Sequence, residues 1–392
     1  MKILVVPTTD WIRNPNPNRL NFIFDNIVDM GHEVYVIHFN LPLYAGVSPR
    51  ETRCTLIPIR GSKHKDQSMY YVFSAGEIFK TMRDVVRDKK IDVIVTANIL
   101  PAFFANFLGK PVVHDYLDHW EESASMCYDK GLRQDIVKNF VGMISKYNIS
   151  HAKEVITVTE ELREIITRPG DNRFHTVIPN GVDTKKLIPI DKHTAKRRIG
   201  FKSEQKIVGY VGSIENWVDL ESIIHGVGDL DDVVLLIIGS FLYGDDYYKK
   251  LKKLVETRAL EDRVIFKGYI PYDKLSVYLS AMDFGLNPLV DMDKNMYSAG
   301  GKVFNYLACG VPVLSSEVIS LRKLFSKHDY KNCVFFYKNT PRGEDFKRVL
   351  EHGFDMYCDI DSELIRNISL EYDWNTLSKK YLNVLKIASS GG

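Results

Sequence analysis

Gly300-Gly301-Lys302, which opens the run GGKVFNYLACGVP, is the stretch of this sequence best suited to chemistry. Two glycines at the start of an apolar helix let a bulky anion reach the backbone. Free N–H groups and the helix dipole there favour negative charge. Lys302 adds an ammonium one residue later. A cation beside a helix N-terminus is unfavourable unless an anion is bound, so the trio reads as a phosphate site. The plainer alternative is a loop–helix–strand unit with a glycine C-cap and a solvent-facing lysine. Three residues on, Asn305 offers a carbonyl that can accept one hydroxyl without charge.

Other stretches carry weaker signals. Gly209-Tyr210-Val211-Gly212-Ser213 ends an apolar strand with a glycine turn where a phosphate could approach the backbone, although a tight structural turn explains it equally. Asn-Gly in Pro179-Asn180-Gly181-Val182-Asp183 is a turn dipeptide. Val264–Ile270 reads as a strand and turn, with Tyr269 able to stack on a base or to sit at the surface. PVVHDYLDHWEE places His114, Asp115, Asp118, His119, Glu121 and Glu122 at the end of a strand. These are metal-ligand types, yet their spacing matches no standard set. The first loop, TTDWIRNPNPNRLNF, holds Asp10 and Arg19, which are candidate acceptor contacts or simple surface residues. Glu160 is a weaker candidate that starts a helix.

These residues need a scaffold, and its pattern is regular. Short β-branched runs at 3–7, 33–39, 93–98, 111–116 and 154–159 alternate with helically spaced segments. Gly31 ends the first helical segment as a natural cap. The alternation restarts after 177–190, with further runs at 207–213, 233–240, 264–269, 284–289, 312–316 and 333–337. Strands buried on both faces and separated by helices form parallel, doubly wound sheets. The fold class is therefore α/β, with two Rossmann-like domains. Such sheets bind ligands at the carboxyl ends of their strands.

Bulk properties agree. A chain of 392 residues exceeds one typical core. With 45% hydrophobic and 26% charged residues and a net charge of +2, the composition is that of a globular protein and makes no case for nucleic-acid binding. Five scattered cysteines (Cys54, Cys127, Cys309, Cys333, Cys358) form no C-x-x-C pair, which argues for reduced packing thiols and no structural zinc. No apolar run is long enough to span a bilayer, and Met1-Lys2 leads straight into a strand with no signal peptide, so a cytoplasmic location is expected.

Taken together, these motifs resemble the nucleotide-sugar site of GT-B glycosyltransferases, especially family 4. The segment from Tyr297 to Pro312 resembles that family's K-L-F-E-Y-L-A-x-G-x-P-V pattern, PNGVD its domain-closing signature, and GYVGS its donor-diphosphate turn. The resemblance implies a GT-B fold of two domains facing a cleft. Residues 1–184 would form the acceptor domain, with the C-terminal helix 372–388 and its Trp374 packing back on it. Residues 185–371 would form the donor domain. It further implies donor contacts at Gly212, Ser213, Tyr269, Ile270, Gly300, Gly301, Lys302 and Asn305, and Asp118 and His119 near the anomeric carbon as catalytic residues. No cofactor and no metal are implied beyond the donor substrate.

Two departures stand out. Many family members carry two glutamates eight positions apart, where this chain has Tyr297 and Asn305. Many also carry a cation soon after the glycine turn, where this chain reads ENWVDLES with Trp217 and Asp219, leaving Lys302 to neutralise the diphosphate. The function implied is a retaining transfer of a hexose-type sugar from a nucleotide-diphospho-sugar to a glycan, lipid-linked or small-molecule acceptor. A UDP-sugar epimerase and a non-catalytic nucleotide-sugar-binding subunit remain alternatives. Basic clusters at Arg60, Lys63, His64 and Lys65, and at Arg83, Arg87, Lys89 and Lys90, are either solvated faces or points of peripheral membrane association at the cytoplasmic face.

Overall fold

The computed structural model describes residues 1–125, 131–167, 175–241, 244–298, 300–326, 330 and 332–390. The chain divides into two compact units, one of residues 1–179 with 374–392 and one of residues 180–373.

In the first unit seven parallel strands run in the order β3-β2-β1-β4-β5-β6-β7. They are β1 (Lys2–Val6), β2 (Glu33–His38), β3 (Thr55–Pro58), β4 (Val93–Thr96), β5 (Val112–Tyr116), β6 (Glu154–Thr157) and β7 (Thr176–Val177). β1, β4 and β5 are almost wholly buried, which is why they read as unbroken apolar runs. The edge strand β3 has no such run, and the apolar pattern does not reveal it; Thr55 and Pro58 are exposed and Leu56 and Ile57 half-buried. The helix Arg19–Asp29 starts in a capping box between Asn18 and Asn21, and Gly31 beyond its end takes φ +85°.

The C-terminal segment holds two helices, Ser362–Leu370 and Trp374–Ser390. They are separated where Val182 N–H donates to the Tyr372 carbonyl and the Thr184 hydroxyl donates to Asp373 Oδ2 at 2.5 Å. This strap keeps residues 180–184 and 371–373 in the second unit, so the division falls at 179 and 373 in place of 184 and 371. The Trp374–Ser390 helix completes the core of the first unit. Trp374 stacks on Phe22 with ring centroids 5.4 Å apart, and Tyr381 meets Phe24 edge-on.

The second unit is a six-stranded parallel sheet in the order β10-β9-β8-β11-β12-β13. Its strands are β8 (Lys206–Val211), β9 (Val233–Ile238), β10 (Val264–Gly268), β11 (Phe284–Asn287), β12 (Val313–Ser316) and β13 (Val334–Tyr337). In both sheets the order reverses beside the first strand, at β1/β4 and at β8/β11. These are the switch points where open α/β sheets bind ligands.

Glycines let the helices of the second unit lie close on its sheet. A Cβ at Gly285 would fall 2.3 Å from the Tyr306 ring. That ring lies between β8 and β11, its hydroxyl accepting from Val211 N–H and donating to the Leu286 carbonyl. Gly285→Ala should therefore lower unfolding free energy by at least about 1–3 kcal/mol, measured by urea titration. An unchanged midpoint would refute this packing role. Three of the cysteines, Cys54, Cys309 and Cys333, are buried as free thiols, and Cys358 is exposed. Cys127 lies outside the described residues.

Candidate donor site

The β8/β11 switch point brings together four of the residues singled out by sequence. Gly212 follows β8 at φ +157°, and a Cβ there would meet the Tyr210 hydroxyl at 2.8 Å and Lys302 Cε at 3.2 Å. The aliphatic arm of Lys302 thus lies against Gly212. Gly212 N–H already donates to the Ile238 carbonyl, so its contribution is room rather than a free donor. The partner that makes this room is Gly239 after β9, which sequence reading missed. A Cβ at Gly239 would fall 1.8 Å from the Gly212 carbonyl oxygen. Gly209, in the same motif, serves packing within the unit, since a Cβ there would collide with Met282. Half-buried Ser213 accepts the Tyr210 hydroxyl proton at its carbonyl, 2.6 Å away.

The helix Gly301–Ala308 begins after Gly300 (φ +26°), and no side chain caps it. Val303 N–H donates back to the Gly300 carbonyl at 2.9 Å, and the Gly301 and Lys302 N–H groups are left to water or a ligand. Lys302 stands there with its Nζ 5.5 Å from the centroid of the Tyr210 ring. No carboxylate pairs with it among the described residues, and desolvation alone lowers its pKa to about 8. An ammonium so placed is poised for an anion.

Asn305 lies one turn further and is half-buried. Its Oδ1 accepts from the Tyr272 hydroxyl at 3.3 Å, and that hydroxyl accepts from Asp183 N–H at 3.2 Å. The Asn-Gly turn and the helix are thereby linked, with Asn180 Cβ 3.9 Å from where a Cβ on Gly301 would stand. Tyr272 carried no sequence signal, because its role depends on a fold that brings residues 183, 272 and 305 together. Tyr269 is 47% exposed beyond β10, following Gly268 at φ +68°, and Ile270 packs partly against the core. Asn287, at the end of β11, has a buried Oδ1 with no hydrogen-bond partner among the described residues, 3.6 Å from a Cβ built on Gly300. It too was missed. In the loop after Gly212, Asp219 caps the helix Leu220–Gly228, and Lys294 lies 4.3 Å over the Trp217 ring.

The first unit holds the other nominated residues. Asp118 follows β5 and opens the helix Trp120–Ser125: its Oδ1 accepts from His119 N–H at 2.9 Å and its Oδ2 from the Ser123 hydroxyl at 2.6 Å. His119 is partly exposed, with Nε2 3.8 Å from Glu121 Oε2. Glu121 also accepts from the Tyr116 hydroxyl, and Glu122 pairs with Lys138. His114 is enclosed within the sheet on Thr96, and burial lowers its pKa to about 4. Among the described residues no group of three or more His, Cys, Asp or Glu is placed to hold a metal ion.

Asp10 and Arg19, nominated as acceptor contacts, are buried and have structural partners. Asp10 Oδ1 accepts from Ile12 and Arg13 N–H, and His38 Nδ1 lies 3.8 Å away. Burial lowers the pKa of His38, with Asp10 opposing the shift. Arg19 donates to the Ile178 carbonyl and lies 3.4 Å from Asp115, which also accepts from Tyr381. A loop this polar points to the surface, and the fold turns both side chains inward. Glu160 begins the helix Glu160–Ile166 and pairs with Arg163, while Thr159 is its cap.

Residues 191–354 match the model of the glycosyl transferases group 1, and residues 24–186 match that of glycosyltransferase family 4. The chain is a GT-B glycosyltransferase that resembles family 4. This glycosyltransferase is 27% identical over 390 residues to an uncharacterised glycosyltransferase of Methanocaldococcus jannaschii, covering 93% of this chain and 92% of that one. Solved structures place its fold as GT-B. The sucrose-phosphate synthase of Thermosynechococcus elongatus superposes with TM-score 0.80 at 15% identity over the full length of both chains. Anabaena HepE in complex with UDP-glucose superposes with TM-score 0.72 at 14% identity, over 98% of this chain and 99% of that one.

Proposed function

We infer that this glycosyltransferase moves a hexose-type sugar, with retention of configuration, from a nucleotide-diphospho-sugar to a glycan, lipid-linked or small-molecule acceptor. One observation carries the reading: the desolvated, carboxylate-free ammonium of Lys302 at an uncapped helix start, lying against Gly212. The donor diphosphate sits on the Gly301 and Lys302 N–H groups at the start of the Gly301–Ala308 helix, with the Lys302 ammonium taking up its charge. As the bond from the anomeric carbon to the diphosphate breaks, negative charge grows on the leaving oxygen. Fixed dipoles and an ammonium stabilise that charge without a bound metal. The acceptor hydroxyl oxygen bonds to the anomeric carbon, and its proton passes to the departing diphosphate oxygen. Asn305 orients the ribose through its amide, Tyr269 and Ile270 flank the base, and Asp118 and His119 stand near the transferred sugar. UDP is the favoured nucleotide, supported by the UDP-glucose in the HepE structure.

The test is a thermal-shift panel of UDP, GDP, ADP and their sugar conjugates, with and without EDTA. Saturating ligand at about 100 times Kd adds about 2.7 kcal/mol of stability. The expected result is stabilisation by UDP, unaffected by EDTA and weakened in Asn305→Ala. No stabilisation by any nucleotide would overturn the donor reading. Loss of the shift in EDTA would overturn metal independence.

A further inference from the structure

The polarity of Asn305 is set by its neighbour Tyr272. A backbone N–H can only donate, so the Tyr272 hydroxyl, 3.2 Å from Asp183 N–H, accepts from it. The hydroxyl's own proton goes to Asn305 Oδ1, 3.3 Å away. Burial raises the pKa of Tyr272, so its hydroxyl stays a donor at working pH. A carboxamide turned end for end would forfeit this bond. All three residues belong to the second unit.

With the carbonyl held, the other end of the carboxamide is fixed as well. Asn305 Nδ2 makes no hydrogen bond among the described residues and is not enclosed, since the residue is only half-buried. A ligand therefore meets two N–H donors, where the sequence suggested an acceptor carbonyl. Charge points the same way. Asn305 lies three residues after Lys302 on one helix, a spacing that makes side chains neighbours. A carboxylate at 305 would compete with the diphosphate for the Lys302 ammonium, and a carboxamide does not.

We propose that Asn305, positioned by Tyr272, recognises the nucleotide ribose as a hydrogen-bond donor, so that the ribose position facing it must accept and need not donate. This rests on the donor reading and adds to it a rule for the nucleosides the site takes. A ribose whose hydroxyl is exchanged for an acceptor without a proton keeps this contact. A carboxylate in the same place makes the opposite demand, because it only accepts.

The experiment is isothermal titration of the full chain with UDP and with its 2′-fluoro and 3′-fluoro analogues, in the wild type, Asn305→Asp and Asn305→Ala. Fluorine accepts weakly and cannot donate. The ratio of analogue Kd to UDP Kd cancels what the ligands share, including the diphosphate on Lys302, and Asn305→Ala sets its baseline. The wild-type ratio should lie within about threefold of that baseline at both positions. In Asn305→Asp it should stand at least about tenfold above it at one position, the loss of a hydrogen bond to a charged group. That variant should melt like the wild type, because Tyr272 donates to a carboxylate as well. UDP itself should bind Asn305→Ala at least about threefold more weakly. This keeps the wild-type ratio informative even if the aspartate variant does not fold. A wild-type ratio about tenfold above the baseline would overturn the proposal, since the carbonyl would then be accepting. So would equal ratios in all three proteins or an unchanged UDP affinity in Asn305→Ala, since residue 305 would not face the ribose. UDP that fails to bind the wild type would overturn the donor reading itself, an outcome distinct from UDP bound with the wrong ratios.

Discussion

Lys302→Met should lower kcat/KM for the donor by about 10²- to 10³-fold, the usual effect of deleting one group that stabilises developing charge. The variant keeps the aliphatic arm that packs on Gly212 and removes only the ammonium. Its melting temperature should not fall. In the folded, unliganded state the lysine pKa is lowered to about 8 by desolvation. The folded state therefore binds fewer protons than the unfolded chain between that value and the ordinary lysine pKa, and stability rises with pH across this window. At neutral pH the charged lysine opposes folding, and methionine relieves that. A large loss of activity with equal or higher stability is the signature of a ligand-directed cation. A drop in stability with unchanged UDP affinity would assign Lys302 to the scaffold instead.

The same lysine sets a pH dependence for the donor. A bound diphosphate stabilises the ammonium and raises its pKa, so binding takes up a proton wherever the free site has lost one. Donor affinity should be flat below about pH 8 and fall above it, approaching about tenfold per pH unit. Isothermal titration in buffers of different ionisation enthalpy would show this proton uptake on the alkaline side. In Lys302→Met both the slope and the uptake should vanish. A pH-independent Kd in the wild type would contradict the role given to this group.

How much of this was legible in the sequence follows from where each signal lives. Buried parallel strands are apolar on both faces, so β1, β4, β8, β9 and β11 announced themselves with their approximate bounds. β3 was invisible because it has only Leu56 and Ile57 between exposed Thr55 and Pro58, whereas the edge strands β10 and β13 carry longer apolar runs and were read. The cluster proposed to hold the diphosphate was legible at Gly212, Gly300, Gly301 and Lys302 because glycine at a strand end or helix start is a recognisable pattern. Its supports were not legible. Gly239 matters only because the Gly212 backbone lies 1.8 Å from where its side chain would be. Tyr272 matters only because the fold brings Asp183 and Asn305 to one hydroxyl. Asp118 illustrates the reverse problem. A carboxylate at a strand's end is the residue type that either chemistry or a helix start would choose, and here both of its oxygens serve the start of the Trp120–Ser125 helix. Each oxygen accepts only one of those bonds and keeps a second acceptor site, so the helix-start role and a contact with substrate are compatible.

Arg19 carries the largest expected effect on stability. Polar loops are usually at the surface, which is why an acceptor contact was the sequence-based expectation. In the structure Arg19 is 5% exposed and Asp115 fully buried, with the guanidinium 3.4 Å from the carboxylate and Tyr381 donating to the same oxygen. Tyr381 comes from the last helix, so this pair ties residue 19 to residue 381 through the end of β5. Arg19→Met should cost about 3–5 kcal/mol, because it leaves a carboxylate buried without its counter-charge. Burial already raises the Asp115 pKa, with Arg19 and Tyr381 opposing the rise. Without the guanidinium it should climb further. An acid whose folded pKa lies above its unfolded value binds more protons when folded, so stability falls as pH rises through that window. The deficit of Arg19→Met should accordingly be smallest at mildly acidic pH and grow toward neutrality. Adding Asp115→Asn should recover a large part of it, because the orphaned charge is gone. Urea titrations of the two single variants and the double variant at two pH values measure the coupling directly. An acceptor contact predicts something different: normal stability, a raised KM for acceptor, and no rescue by Asp115→Asn. The two outcomes do not overlap, so one double-mutant cycle assigns the residue.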